Sequence, residues 1–291
     1  MNIGASKTLS GSLLVLPAVL FLLAFFVVPN AILIAVSVLA RMDAGVLQVG
    51  LNIDNYVRAF SVDLYWMVLL RTLRLGFAAA VVSAILAYPL AIAITQGGSF
   101  GRIVTLVVVT PLLVNVVIRS YAWSQLLSRQ GALNWVLTNL GLAESPPQLL
   151  YTEWAVLIAS VHVFLPFIVL PLAGAIGAIA PEIAQAARMA GANRFRVFLR
   201  VIMPLSVPGL AVGLSLVFSL TAAAYVTPQI LGGNFSPLIG TLIHQQVLVL
   251  NDWPFGAALA TLLIVAVLMT NLVFLKGADR LTRRWTAGVG A

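Results

Sequence analysis

The chain has 291 residues, of which 62% are hydrophobic and only 8% charged, and its mean hydropathy is +1.08. Soluble domains carry roughly 25% charged residues, so this composition excludes a soluble globular domain and gives an integral membrane protein. The absence of cysteine excludes a disulfide framework and thiolate metal sites, whereas the net charge of +8 raises nucleic acid as a ligand until its placement is known.

A helix crosses a bilayer with about 20 apolar residues. Residues 1–11 are a short polar start with Lys7, and the first span runs from about Ser12 to Ala40, interrupted by Pro17 and Pro29. Its apolar run continues through Val27 and Val28 without a small-residue cleavage site, so it reads as an uncleaved anchor. Residues 41–70 are mixed, with a short surface helix over Asn52 to Phe60 and an interfacial pair at Tyr65 and Trp66. The second span is about Thr72 to Thr95, with Pro89 as a kink. A tight turn at Gln96 to Arg102 leads into the third span, about Ile103 to Leu127, which contains Pro111 and Asn115 and holds Arg119 near its end.

Residues 128–153 form a longer connection, in which a short helix begins near Gly131 and is broken by Pro146 and Pro147. The fourth span is about Trp154 to Ala180, with Pro166 and Pro171 inside it. A basic segment follows, then the fifth span from about Leu210 to Leu231. The half-apolar helix Leu238 to Leu250 is too polar and short to cross. The sixth span is about Phe255 to Leu275, and a basic tail closes an all-α chain of six spans, a single membrane domain over residues 1–291.

Charge orients these spans. Both termini, the 96–102 turn and the segment after the fourth span share one side, with ten Lys and Arg residues against Glu182 and Asp279. On the other side six Arg residues meet six acids, so the first side accounts for the whole +8. The positive-inside rule places that side and both termini in the cytoplasm. The charge is a topology signal, and nucleic acid drops out as a partner.

The basic segment, residues 181–209, reads as two short helices around a sharp bend. Pro181 suits a first helical position. Ile183, Ala186, Ala187 and Ala190 recur at helical spacing and make a small apolar face. Gly191 ends that helix with a residue free to take positive φ. Asn193 caps the second helix, whose apolar side is Phe195, Phe198, Leu199 and Ile202, and Pro204 and Pro208 stop it. A rigid basic helix pair between two spans is suited to docking rather than catalysis.

This segment resembles the EAA loop in the permease subunits of bacterial type I ABC importers. The family pattern is roughly Glu-Ala-Ala, three residues, Gly, nine residues, Ile-x-Leu-Pro. Here it stands as Gln185-Ala186-Ala187, Gly191 and Val201-Ile202-Met203-Pro204, with both spacings intact and Gln185 in place of the usual Glu. The resemblance implies that Glu182 to Gly191 is a coupling helix seated in a cleft of an ATPase subunit. Arg188 and Arg194 then reach acidic groups on that partner, and Arg196 and Arg200 serve lipid headgroups equally well. No Walker A motif is present, since Gly4-Ala-Ser-Lys7-Thr8 lacks the spacing and the second glycine. ATP and Mg are therefore expected on the partner, with no cofactor and no metal held by this chain.

Polar groups in hydrocarbon are costly, so each is a pathway candidate. Asn115, Arg119, His162, Gln229 and Asp252 qualify, with Tyr121, Trp123, Tyr225 and Trp253 as neighbouring aromatics. Asn115 and Arg119, four residues apart, share a face of the third span if it is one helix. Plainer readings stand beside these: an interhelical hydrogen bond for Asn115, packing for His162, snorkelling for Arg119, and for Asp252 a cap on the helix that begins at Trp253-Pro254. No acid lies deep in a span, which weakens an ion-coupled secondary transporter, the alternative reading. No nucleophile–base pair or metal cluster is present, so no catalytic set is expected.

The runs Ile118-Arg119-Ser120-Tyr121-Ala122-Trp123, Gly131-x-Leu133-Asn134, Leu165-Pro166-Phe167, Asn251 to Ala258 and, weakly, Asn55-Tyr56-Val57 resemble the spermidine/putrescine permease branch of these importers. That resemblance implies a pair with a second, related but different permease, two ATPase copies inside, and a solute-binding protein outside. A polyamine suits aromatic walls, but Arg71, Arg74 and Arg119 repel a polycation unless paired, and a zwitterion with a carboxylate or phosphonate fits those arginines as well.

Overall fold

The computed structural model describes residues 15–43, 45–233 and 236–287; Lys7 and the start of the first span lie outside them. The chain divides into two compact units, residues 1–63 with 243–262 and residues 64–242 with 263–291.

In the first unit, helix α1 (Val15–Leu39) contains one wider π-type turn at Leu23–Val27 and leaves its phenylalanines exposed, as a lipid-facing span requires. A hairpin the sequence did not announce follows, β1 (Ala40–Asp43) antiparallel to β2 (Val46–Val49). Helix α2 (Asp54–Ser61) matches the expected surface helix and explains the Asn55-Tyr56 run. Buried Asn55 donates to the carbonyls of Ser37 (3.0 Å) and Ala40 (2.9 Å), and the Tyr56 hydroxyl pairs with Ser37 at 2.7 Å. The Asn55 amide thus satisfies carbonyls at the end of α1, where helical carbonyls have no partner of their own, while Tyr56 pins the Ser37 hydroxyl.

In the second unit the second span is longer than expected. Helix α3 (Asp63–Thr95) takes in Tyr65 and Trp66 and continues through Pro89. The third span breaks into α4 (Gly98–Leu113) and a second piece bent away from it by 104°. That piece comprises α5 (Val116–Leu127) and α6 (Ala132–Asn139). Helix α6 ends at Asn139, before Pro146 and Pro147. The fourth span is α7 (Glu153–Phe164) and α8 (Pro166–Gly177), bent 44° at Leu165, where Pro166 removes a backbone donor.

The docking segment is α9 (Pro181–Met189) and α10 (Arg194–Leu205). Pro204 does not stop α10: the chain stays helical to Leu205 and bends 68° at Ser206 into α11 (Val207–Ala222). The fifth span is interrupted before α12 (Val226–Leu231). Helix α13 (Ile239–Val249) and the long α14 (Trp253–Ala287) complete the chain. Among the described residues three helices are long and apolar enough to cross a membrane, or up to six spans if each bent pair counts as one.

The main core of the second unit sets the small face of α3 (Ala79, Ala80, Ala87, Ala91) against Ile168, Val169 and Leu172 of α8 and Val217 and Phe218 of α11. Small residues drive this packing, as is usual where lipid removes the hydrophobic gain between helices. A Cβ on Gly213 would overlap Ile168, and one on Gly209 would lie 2.7 Å from the Pro171 carbonyl. Asn271 of α14 donates to Ser219 of α11 at 2.9 Å. A second core gathers Leu127, Val156, Ala159, Leu231 and Leu238 where α5, α7 and α12 meet.

Candidate coupling loop and solute pathway

The docking segment folds as its residues dictate. Pro181 opens α9, and Gly191 (φ +86°) closes it in the left-handed region. Ala192 N–H then donates to the Ala187 carbonyl (3.1 Å) and Gly191 N–H to that of Arg188 (2.9 Å), as in helix ends that reuse stranded carbonyls. Asn193 Oδ1 accepts from Arg196 N–H at 2.8 Å and caps α10.

No residue of α9 is buried against the chain. Glu182, Gln185, Ala186, Arg188 and Arg194 are exposed and Ala187 half-buried. Met189 is 90% and Phe195 68% exposed. Phe195 therefore points away from the core, against expectation, and Val197 is the buried residue of that turn. Pro204 is buried at the root of the segment. Tyr88 of α3 fastens that root: its hydroxyl pairs with Ser206 at 3.2 Å, and its ring meets Phe198 edge-on at 5.3 Å. The segment is thus an exposed helix pair on a root tied to α3 through Tyr88 and continuous with α11.

Of the pathway candidates, the structure joins three into a cluster. Arg119 and Trp123 lie one turn apart on α5, and Trp123 Nε1–H donates to His162 Nδ1 of α7 at 3.2 Å, with the two rings edge-on at 5.6 Å. Nε and Nη1 of Arg119 are buried with no hydrogen-bond partner. Ser120 binds Thr227 at 3.1 Å, which sets α12, with Gln229 exposed and Tyr225 at its start, against α5. Tyr121 is exposed on α5.

Asn115 is not a member of that helical face. It sits at the 104° bend and caps α5, its Oδ1 accepting from Val117 N–H at 2.8 Å. The shared face expected for Asn115 and Arg119 is therefore replaced by a cap, because a residue before the first helical turn has extended backbone.

Asp252 and Trp253 belong to the first unit. Asp252 Oδ1 caps α14 by accepting from Phe255 N–H at 3.2 Å, as the plainer reading held. Its Oδ2 also binds Arg58 at 2.7 Å, while the Arg58 guanidinium stacks 4.0 Å over the Phe255 ring. That ion pair was invisible in the sequence, where the partners are 194 residues apart. Trp253 Nε1–H donates to Asn251 at 2.9 Å.

Arg71 and Arg74 are paired. Both bind Glu153 at the start of α7, Arg71 at 3.0 Å and Arg74 through its other carboxylate oxygen. One carboxylate therefore takes up much of the positive charge expected to repel a polycation. Among the described residues no group of three or more His, Cys, Asp or Glu is placed to hold a metal ion.

Residues 87–286 match the family model described as "Binding-protein-dependent transport system inner membrane component". The chain is 32% identical to the spermidine/putrescine transport system permease protein PotB of Escherichia coli over 265 residues, covering 91% of this chain and 96% of that one. It is equally identical to PotB of Haemophilus influenzae, with 91% and 92% covered. It is also 27% identical to the trehalose/maltose transport system permease protein MalF of Thermococcus litoralis, over 91% of this chain and 92% of that one. In fold it resembles a chain of a bacterial alginate ABC transporter solved with an alginate pentasaccharide-bound periplasmic protein. There the TM-score is 0.77 at 20% identity, with 95% and 96% of the two chains covered.

Proposed function

The chain belongs to the family of binding-protein-dependent transport system inner membrane components, and from that premise we propose that this ABC-importer permease subunit carries a polyamine, putrescine or spermidine, or a related small amino-containing solute. The observation that carries the solute class is the 32% identity to PotB over nearly the whole of both chains. The aromatics at Trp123, Tyr121, Tyr225 and Trp253 suit cation–π contact with an amine, and Glu153 offsets one of the two charges of Arg71 and Arg74.

The exposed helix pair and the family description support the rest of the reading. Two ATPase subunits, holding ATP and Mg, receive α9 of this chain and of a second, related permease. A solute-binding protein delivers from the opposite face. ATP binding draws the coupling helices together, Tyr88 and the bend at Ser206 pass the movement to the spans, and hydrolysis resets them. Both termini are cytoplasmic in this arrangement, and the chain works as one permease domain in a bacterial inner membrane.

Uptake of labelled putrescine into vesicles holding the whole complex tests this reading. The expected result is uptake that requires ATP and the binding protein and is blocked by vanadate. Vanadate-insensitive uptake by this chain alone would replace it with ion-coupled transport. If the complex takes up a carboxylated solute and no diamine, and Arg119→Ala abolishes that uptake, the polyamine assignment fails while the importer stands.

A further inference from the structure

Two adjoining cavities of about 260 and 550 Å³ open where the first half of α3 passes the start of α7, and both are walled by Arg74 and Glu153. Arg71 lines the larger; Trp154, Ala78 and Leu157 line the smaller. Trp154 is 70% exposed. Arg74 precedes Thr95, the last residue of α3, by 21 positions, about 31 Å along a helix. The hydrocarbon core of a bilayer is about 30 Å thick. With Thr95 at one boundary, at the turn through Gly97, Arg71 and Arg74 stand at the opposite headgroup level. Trp154 sits beside them, where tryptophan is favoured, and Ala78 lies one turn deeper on α3.

Charge then narrows the ligand. Each guanidinium has five N–H donors in a planar fork suited to phosphate, and one carboxylate cannot accept them all. The side chain of Arg74 is 68% exposed. Glu153 stands between the two arginines and disfavours a bare anion, yet its carboxylate has lone pairs left for an ammonium group. We propose that this notch binds phosphatidylethanolamine of the outer leaflet. The lipid phosphate lies on Arg71 and Arg74, its ammonium on Glu153, and an acyl chain runs past Ala78 and Leu157. The site rests on the chain spanning the membrane and on the proposed orientation, and it uses the Arg71, Arg74 and Glu153 cluster whose charge balance the polyamine reading also invokes.

The test is native mass spectrometry of the full chain in its complex, taken from nanodiscs of equal phosphatidylethanolamine, phosphatidylcholine and phosphatidylglycerol. The wild type should retain the ethanolamine lipid over the other two. Glu153→Gln removes the negative charge that faces the ammonium and leaves only a neutral amide oxygen, so the preference should invert towards phosphatidylglycerol. Arg71→Ala with Arg74→Ala should lower retention of every class by roughly tenfold, the worth of one charge-assisted hydrogen bond. Equal retention of all three lipids by the wild type would overturn the proposal. So would a Glu153→Gln complex with an unchanged order of preference. Loss of the second permease from the double variant, with its lipid count unchanged, would assign the notch to a subunit contact instead. Uptake that fails the vanadate and ATP criteria would remove the importer reading and leave this lipid result standing.

Discussion

Asp252 does two things with one carboxylate, and its two oxygens can be separated by mutation. Asp252→Asn keeps an acceptor for Phe255 N–H but gives up the charge that faces Arg58. Because the Arg58 side chain is 43% exposed, water screens that loss, and the cost should stay within about 1 kcal/mol. Asp252→Ala removes the cap as well, adding about 0.5–2 kcal/mol. Thermal unfolding in detergent should therefore rank wild type, Asn and Ala in falling order, and an Asn variant as unstable as Ala would show that the cap carries nothing. The cap was legible in Asp252-Trp253-Pro254, since capping chemistry is local. The Arg58 pair was not, because no local pattern marks a contact between residues so far apart in sequence. Trp123 and His162 were likewise legible only as separate polar groups in apolar runs; the packing of α5 on α7 makes them a pair.

At the scale of elements, the apolar runs told where the chain is buried in lipid but not where a run changes direction. The third span looked continuous because Val114, Val116 and Val117 keep it apolar across Asn115. Hydropathy is blind to the backbone, and the bend was recorded only in the residue types Pro111 and Asn115. The docking segment was legible in more detail, since a proline start, a glycine stop and an asparagine cap are each local signals. The same distinction predicts how glycines respond. Gly213→Ala drives a methyl into Ile168 at the α8–α11 contact, and overpacking of this kind costs about 1–3 kcal/mol. Gly174→Ala, in α8 with nothing within 4 Å of the added carbon, should be neutral or stabilise by about 0.4–1 kcal/mol. Melting temperatures of the two variants in the same detergent check this. A Gly213→Ala protein as stable as Gly174→Ala would mean that α8 and α11 are not held at backbone contact.

For the molecule as a whole, the six-span plan and the docking segment together divide the chain into a part satisfied by lipid and a part that waits for protein. The spans find their environment on insertion. Helix α9 does not: none of its residues is buried against its own chain, and Met189, almost wholly exposed, lies between two arginines that trypsin recognises, Arg188 and Arg194. If the ATPase covers α9 as proposed, an orphan copy is open to proteolysis at a place that an assembled copy shields. The expected outcome in a pulse-chase experiment is a short half-life for this subunit made without its ATPase and a long one with it; equal half-lives would show that α9 is protected by other means. On the proposed docking, the surface that receives the ATPase when occupied is a protease target when vacant. With the expected half-lives, removal of unmatched subunits would join synthesis in setting the number of importers.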